Sequence, residues 1–491
     1  MLGNHSRRIK RAWWGLAALA VAGFILRVAV ADRVGVLPEE AYYWNYAQHP
    51  SWGYLDHPPA IAAIIGFVSS WLGHTNFALR LGPLICGALA SLFLFAVAQE
   101  RYGSRTAGWR TVTLLNLLPI FLGLGFFAFP DAPLLVGWTG ALWFGLRALR
   151  TGHPLDWLGW GLAAGLALLS KYYGGVLLVG MGLFAVSTPE GRRALRQPWI
   201  YLGILVALAV FAPVIWWNAQ HDWVSFRFQF LSRAETATRF RTPEFLLLQL
   251  MAVGPWVLVT LVWLAWRARR GADWRDRFLA WQFWPMFGLF ALYSLKGPVH
   301  LNWVAPAYLA LLPLTQQFIS EHWNWPQRAT VWSVTAFAAI VLGVLGHLGG
   351  AWGGWLPPAA HAALDRRFKW HGVSDALERV EQDVEQHRGR EPFFLATDKY
   401  YLASLIAYYD DDQDWWDVAS RNLLGQFALA WDDWQRPERF AGRDAIIVAQ
   451  NPNQLTDELL RPHFQELSST AILPAQDERV VYYRIGYRYH R

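Results

Sequence analysis

The chain has 491 residues, 54% of them hydrophobic and 16% charged, well short of the roughly 25% charged residues of an ordinary soluble domain. Its 31 tryptophans are a residue type that collects where a bilayer meets water. The net charge of +7 is spread through loops between apolar runs, a pattern of membrane topology rather than nucleic-acid affinity. The single cysteine, Cys86, lies inside an apolar run and excludes an internal disulfide.

In chain order, the apolar runs predict about eleven spans: Ala12–Val30, Leu81–Ala98, Val112–Phe129, Leu134–Leu149, Leu155–Leu169, Val176–Val186, Trp199–Trp217, Phe245–Trp266, Phe278–Leu295, Val304–Phe318 and Ala329–Leu348. A straight span across a hydrocarbon core of ~30 Å takes about 20 residues, and several of these runs are shorter. Basic residues set the orientation. RRIKR precedes the first span. Arg101, Arg105, Arg110, Arg147, Arg150, RRALR at Arg192 and RARRGADWRDR at Arg267 then fall in alternate loops on the same, inner side. The first large loop and the tail come out on the opposite, outer side. Ala29 and Ala31 also form an A-x-A pattern like a signal-peptidase site, but Arg27 interrupts the apolar run before it.

From about Gly350 the composition changes. SDALERVEQDVEQHRG reads as an amphipathic helix, PFFLA and DAIIVAQ as short buried strands, and ERVVYYRIGYRY as a final strand. The chain therefore divides into a membrane domain over 1–349 and a small soluble α/β domain over 350–491. It has no Gly-rich phosphate loop after a strand.

The outer loops hold the chemistry. Pro38 followed by Glu39 and Glu40 suits a helix start; the carboxylates either cap that helix or supply a base in a membrane-surface pocket. In YLDHPPAIAAII, Asp56 and His57 precede two prolines and form a turn or part of a site. A short interfacial helix follows from Ala60 to Leu72. A divalent metal there has no compact ligand spacing behind it. Asp131 stands between two prolines at the ends of two spans, where a carboxylate is costly unless paired or wet. Lys171 in LLSKYYGG either snorkels or holds a phosphate. The loop WWNAQHDWVSFRFQFLSRAETATRFRTPEF carries Arg227, Arg233, Arg239 and Arg241, against the charge bias of an outer loop. Their planar forks suit phosphate or anionic headgroups. LKGPVHLNW adds Lys296, His300 and Asn302 on the same side. The acidic run YYDDDQDWWD lacks the ligand spacing of a helix–loop calcium site and reads as a solvated loop.

EEAYYW, GYLDHPP, FPDAPL, LLSKYYG, WNAQHDWVSFRF and HLNW, in this order, resemble the bacterial membrane glycosyltransferases of the GT-C class. More narrowly, they are similar to the group that joins dolichyl-phosphate-mannose–protein mannosyltransferases, lipid A aminoarabinose transferases and lipopolysaccharide-core galacturonosyltransferases. The resemblance covers about Ala12 to Leu348 and implies a GT-C-like polytopic fold with interfacial helices in the first outer loop. It assigns the acidic pair to acceptor activation, with Glu39 where the family pattern has Asp and Glu40 matching it. Asp131 and Lys171 match the acidic residue of the second outer loop and the lysine after the fifth span. Asp56, His57, Asn218, His221, Arg227, Lys296, His300 and Asn302 complete the implied substrate-binding set.

On the outer side there is no supply of nucleotide sugars. The expected donor is therefore a polyprenyl-phosphate sugar, and the acceptor a lipid, glycan or protein of the envelope. A transporter or flippase would instead show inverted repeats and helices broken at mid-membrane, and a non-catalytic assembly protein would carry a degenerate site.

Overall fold

A computed structural model describes residues 17–18, 20–229, 239–322, 370–388, 393–410, 415–473 and 480–490. The predicted span Ala329–Leu348, Arg233, and Asp411, Asp412 and Asp414 of the acidic run lie outside the described residues. In chain order the helices are α1 (Ala20–Val30), α2 (Pro38–Gln48), α3 (Ala60–Leu72), α4 (Asn76–Tyr102), α5 (Arg105–Leu117), α6 (Pro119–Leu124), α7 (Asp131–Thr151), α8 (Pro154–Ser170), α9 (Val176–Ser187), α10 (Pro189–Ala194), α11 (Pro198–Gln220) and α12 (Val224–Arg227). Then come α13 (Thr242–Val253), α14 (Pro255–Ala268), α15 (Trp274–Tyr293), α16 (Ala305–His322), α17 (His371–Arg388) and α18 (Tyr400–Tyr409). The chain forms two compact units. The first comprises Met1–Ala31, Trp52–Ile64 and Arg80–Leu345; the second comprises Asp32–Ser51, Ile65–Leu79 and Gly346–Arg491.

The first unit is a polytopic helical membrane fold. Among the described residues α4, α7 and α11 are each long and apolar enough to cross a bilayer, with shorter apolar helices beside them. Small residues bring α7, α8 and α11 together. A Cβ on Gly137 would lie 2.6 Å from the Ala167 amide nitrogen, and one on Gly161 would lie 2.3 Å from the Gly203 carbonyl oxygen. Lipid gives apolar helices no hydrophobic reason to associate, so such close backbone approach supplies the packing.

Two predicted spans are not continuous. Val112–Phe129 divides at Leu118, which is extended before Pro119, because a residue preceding proline is pushed out of the helical region. Phe245–Trp266 is the pair α13 and α14, bent by 103°. Gly254 sits at the bend with φ 81, a backbone state open to glycine and followed by a proline that suits the new helix start.

The basic loops at one end of the helices are stitched together by ion pairs. Arg101 contacts Asp273 at 3.1 Å and Asp276 at 2.5 Å, Arg277 contacts Glu190 at 2.8 Å, Arg147 contacts Asp156 at 2.9 Å, and Arg150 pairs with Glu100. Asp131 begins the same helix α7 that carries Arg147 and Arg150 at its other end, about 30 Å away for 21 residues. The ion-paired loops and the Asp131 end are therefore opposite ends of one bundle.

The second unit is built on a sheet of order β2-β1-β3-β6-β4, with β5 on β6. β1 (Phe393–Thr397), β2 (Val418–Ala419) and β3 (Asp444–Ala449) are parallel. β6 (Tyr482–Tyr489) runs antiparallel to β3, to β4 (Phe464–Leu467) and to β5 (Ala471–Ile472). Leu395 pairs with Ile446, and Ile446 with Ile485. The strands predicted from PFFLA, DAIIVAQ and ERVVYYRIGYRY are β1, β3 and β6, and the amphipathic run is α17. Phe394, Phe440, Phe464 and Tyr489 centre the core. Helix α2, from the first loop, packs in this unit, with the Tyr42 ring 5.1 Å from Tyr400 and the Trp44 ring 5.3 Å from Tyr408.

Candidate functional site

In the first unit the site grows from Asp131. Pro130 is the N-cap of α7, and Asp131 occupies its first turn, where the helix dipole favours a carboxylate. Its side chain is 1% exposed and its partner Lys171 is 5% exposed. Lys171 is the extended residue that ends α8. Its Nζ donates to Asp131 Oδ2 at 2.7 Å and lies 5.3 Å from the Tyr173 ring centroid. Asn302, from HLNW, donates its side-chain amide to the same oxygen at 2.9 Å. Asp131 Oδ1 is buried and has no hydrogen-bond partner among the described residues. Three segments separated by up to 171 residues thus converge on one carboxylate oxygen.

The residue after Lys171 extends the site. The Tyr172 hydroxyl shares a hydrogen bond with Ser225 Oγ, reaches the Asn218 side chain and lies in the field of Asp56. Asp56 is buried, and its carbonyl accepts from Gln229 Nε2. The Tyr54 amide donates to the His57 carbonyl at 3.3 Å, closing the turn before the two prolines. His221 stacks on Trp217 with ring centroids 4.1 Å apart. Gly53 approaches the same indole so closely that a Cβ there would sit 2.7 Å from it.

The backbone after α11 is strained. Asp222 and Trp223 both take positive φ, 50 and 56, at a cost on the order of 1–3 kcal/mol for each such residue. The Trp223 amide bonded to the Asn218 carbonyl at 2.8 Å holds this turn, and α12 with the exposed Arg227 at its end follows directly. Arg239 and Arg241 are tied through their amides to the Lys296 and Ser294 carbonyls, at 2.9 and 2.8 Å. Lys296 and His300 are exposed, with His300 beside Trp303 at 4.9 Å. Of the HLNW run, Asn302 is the residue that reaches Asp131.

The other acidic segment belongs to the second unit. Glu40 is fully buried, and its Oε2 accepts from the Leu37 amide at 3.0 Å, as the N3 carboxylate of a capping box. Glu39, one residue earlier, is exposed. The two neighbours therefore differ in exposure, with Glu40 buried and holding the helix start and Glu39 at the surface.

Tyr172, Tyr173, Ser225 and Gln229 were not singled out from the sequence. Each lies one or two residues from a residue that was, or inside a motif that carried the resemblance. Among the described residues no group of three or more His, Cys, Asp or Glu side chains is placed to hold a metal ion.

This combination of a multi-pass helical bundle, a charged cluster at one end and a small α/β domain is the GT-C-like fold. The solved structures of ArnT from Cupriavidus metallidurans share it, in the apo state with a TM-score of 0.65 and 15% identity, and bound to undecaprenyl phosphate with a TM-score of 0.63 and 16% identity. Each match covers 96% of this chain and 98% of that one. Residues 56–217 match the family described as dolichyl-phosphate-mannose-protein mannosyltransferase. The chain is also 33% identical over 304 residues to the lipid A galacturonosyltransferase RgtD of Rhizobium johnstonii, covering 60% of this chain and 63% of that protein. It is 26% identical over 269 residues to the undecaprenyl phosphate-alpha-4-amino-4-deoxy-L-arabinose arabinosyl transferase of Pectobacterium carotovorum, covering 52% and 47%. The matches thus span less than two thirds of the length of these curated relatives.

Proposed function

We propose that the chain is an inverting glycosyltransferase. It takes a sugar from a polyprenyl-phosphate carrier and transfers it to an envelope acceptor on the extracytoplasmic face of the bacterial inner membrane. The observation that carries this reading is the buried Asp131–Lys171–Asn302 cluster with one carboxylate oxygen left over. It sits in a fold shared with an enzyme solved with undecaprenyl phosphate bound. The similarity to a lipid A galacturonosyltransferase and to an aminoarabinose transferase favours a lipid A or lipopolysaccharide acceptor.

In this reading Glu39, the exposed member of the acidic pair, takes the proton of the acceptor hydroxyl or orients an acceptor phosphate. General-base assistance of this kind contributes typically 10²–10⁴-fold. The acceptor oxygen attacks the anomeric carbon from the face opposite the phosphate. The carbon–oxygen bond to the carrier breaks, and polyprenyl phosphate leaves with the electron pair. Asp131 Oδ1 accepts from a sugar or acceptor hydroxyl, while Lys171, buried beside Asp131, and Arg227 offset the growing phosphate charge. One well-placed donor is worth about 3–4 kcal/mol in such a site. Asp56, His57, Asn218, His221, Lys296 and His300 line the approach.

A transporter reading draws on the broken pair α13 and α14. Transporters place charged or ion-coordinating groups at such breaks. Beside this one lies the neutral pair Tyr308 and Gln249, hydrogen-bonded at 2.8 Å, so the break supports packing rather than passage. The test is transfer from a radiolabelled polyprenyl-phosphate sugar in membranes holding the wild type, Glu39→Gln or Asp131→Asn at equal expression. Loss of transfer in both variants is expected, and undiminished transfer in either removes that residue from the mechanism.

A further inference from the structure

The first-loop helix α2 is too short to hold itself. An isolated helix below ~12–15 residues is marginal in water, and α2 has 11. Its position is set by residues more than 350 positions away within the same compact unit. The Val36 amide, two residues before the helix, donates to the Tyr409 hydroxyl at 2.9 Å. The Ala430 amide donates to the Tyr42 hydroxyl at 3.3 Å. Asn45, fully buried, donates to its own helix at Ala41 O and across to Ser404 O at 2.8 and 3.2 Å. Ser404 is itself held through its hydroxyl, which accepts from Trp431 Nε1 at 3.1 Å. At the far end of the helix His49 stacks on Trp434 at 4.6 Å and 9°. These anchors run the length of one face of α2, and Glu39 is exposed in its first turn, three residues after Val36.

We propose that Tyr409 and Ser404 are positioning residues for Glu39, so that the C-terminal α/β domain works as the clamp that sets the catalytic carboxylate. The inference rests on the reading of Glu39 given above. A base must be held within about 0.5 Å of its productive geometry, and a misplacement of about 1 Å costs on the order of 10²-fold. The Tyr409 hydroxyl is the acceptor for a buried backbone amide. Removing it takes away the partner of that amide, in the segment that leads into Glu39.

The experiment uses the full-length protein in lipid nanodiscs, as wild type, Tyr409→Phe, Asn45→Ala and Glu39→Gln. Amide hydrogen exchange is followed over residues 38–48, and kcat and donor KM are measured with a radiolabelled polyprenyl-phosphate sugar. Tyr409→Phe and Asn45→Ala are expected to speed exchange over α2 by about tenfold or more. Referred to the folded fraction of each preparation, they should lower kcat by roughly 10- to 100-fold while donor KM stays within about twofold. Unchanged exchange in both variants overturns the proposal. Faster exchange with wild-type kcat overturns it too, and Glu39→Gln then tells the two failures apart. If that variant is inactive, the clamp does not set the carboxylate; if it is active, the reading of Glu39 has itself failed.

Discussion

Asp131 and Glu39 begin from the same local recipe and end in opposite states. Each is a carboxylate in the first turn of a helix directly after a proline, a placement the helix dipole favours. Asp131 is 1% exposed and carries a lysine and an asparagine on one oxygen. Glu39 is exposed, and its neighbour Glu40 performs the capping. The difference shows that local sequence decides where a carboxylate sits on its helix, while the segments packed against it decide its charge environment. In the first unit those segments bring a counter-charge. In the second they bring tyrosine and tryptophan side chains and the Ser404 carbonyl, which fix the helix while Glu39 stays exposed.

The sharpest way to break this contrast is to remove one side of the buried pair. Lys171→Ala leaves Asp131 buried without its ion-pair partner, and losing one partner of a buried pair costs about 3–5 kcal/mol. A large drop in thermal stability in detergent is expected, with transfer abolished. Asp131→Asn combined with Lys171→Met removes both charges and should recover most of the stability without recovering transfer. A single Lys171→Ala variant as stable as wild type would show that the pair is solvated after all.

Glu39→Gln should behave in the reverse manner. An exposed side chain changes stability by less than about 0.5 kcal/mol, yet transfer should fall by about 10²–10⁴-fold. Equal melting temperatures with unequal turnover would sharpen the distinction between the two carboxylates.

The third test concerns pH. Burial pulls the His49 imidazole down to about 4, against a smaller opposing pull from its hydrogen bond to the Asn45 carbonyl. The unfolded chain protonates this group near pH 6.5 and the folded one refuses the proton until about 4. Stability from this site is therefore full above about pH 6.5, falls as the pH drops through that window, and loses roughly 3 kcal/mol in total by pH 4. His49→Phe should flatten that part of the stability–pH curve. An unchanged slope would place His49 in water.

The smallest effect is expected at Glu40. Glu40→Ala should cost about 1 kcal/mol through the lost cap, whereas Glu40→Gln keeps the capping box and should leave both stability and transfer near wild type. A collapse of transfer in Glu40→Gln at normal stability would promote Glu40 from cap to chemistry.

Much of this was legible in the sequence. Runs of apolar residues predicted α4, α7, α8, α9 and α11 closely, because a bilayer imposes length and hydropathy on each span separately. Punctuation within runs was harder. Neither Pro119 nor the Gly254–Pro255 step was read as a break, and the 103° bend depends on what packs around it. Asp131 was picked out for its cost at a membrane edge, and Lys171 and Asn302 as phosphate or sugar contacts, but not as partners on one oxygen. Tyr172, Ser225 and Gln229 carry no such cost and drew no notice, since an uncharged hydroxyl or amide is ordinary at any exposed position.

The sequence by itself determined a polytopic helical membrane protein with a small α/β domain, and it determined which segments between apolar runs hold ionisable residues, because transfer free energies act residue by residue. Only the tertiary structure decided which charges meet. It decided that Lys171 and Asn302 share one oxygen of Asp131, that a buried Glu40 caps its helix beside an exposed Glu39, and that α2 and the residue leading into it are fastened to Ser404 and Tyr409. Hydrogen bonds and ion pairs act over about 3 Å between segments up to 388 residues apart, and no local pattern in the chain encodes that distance.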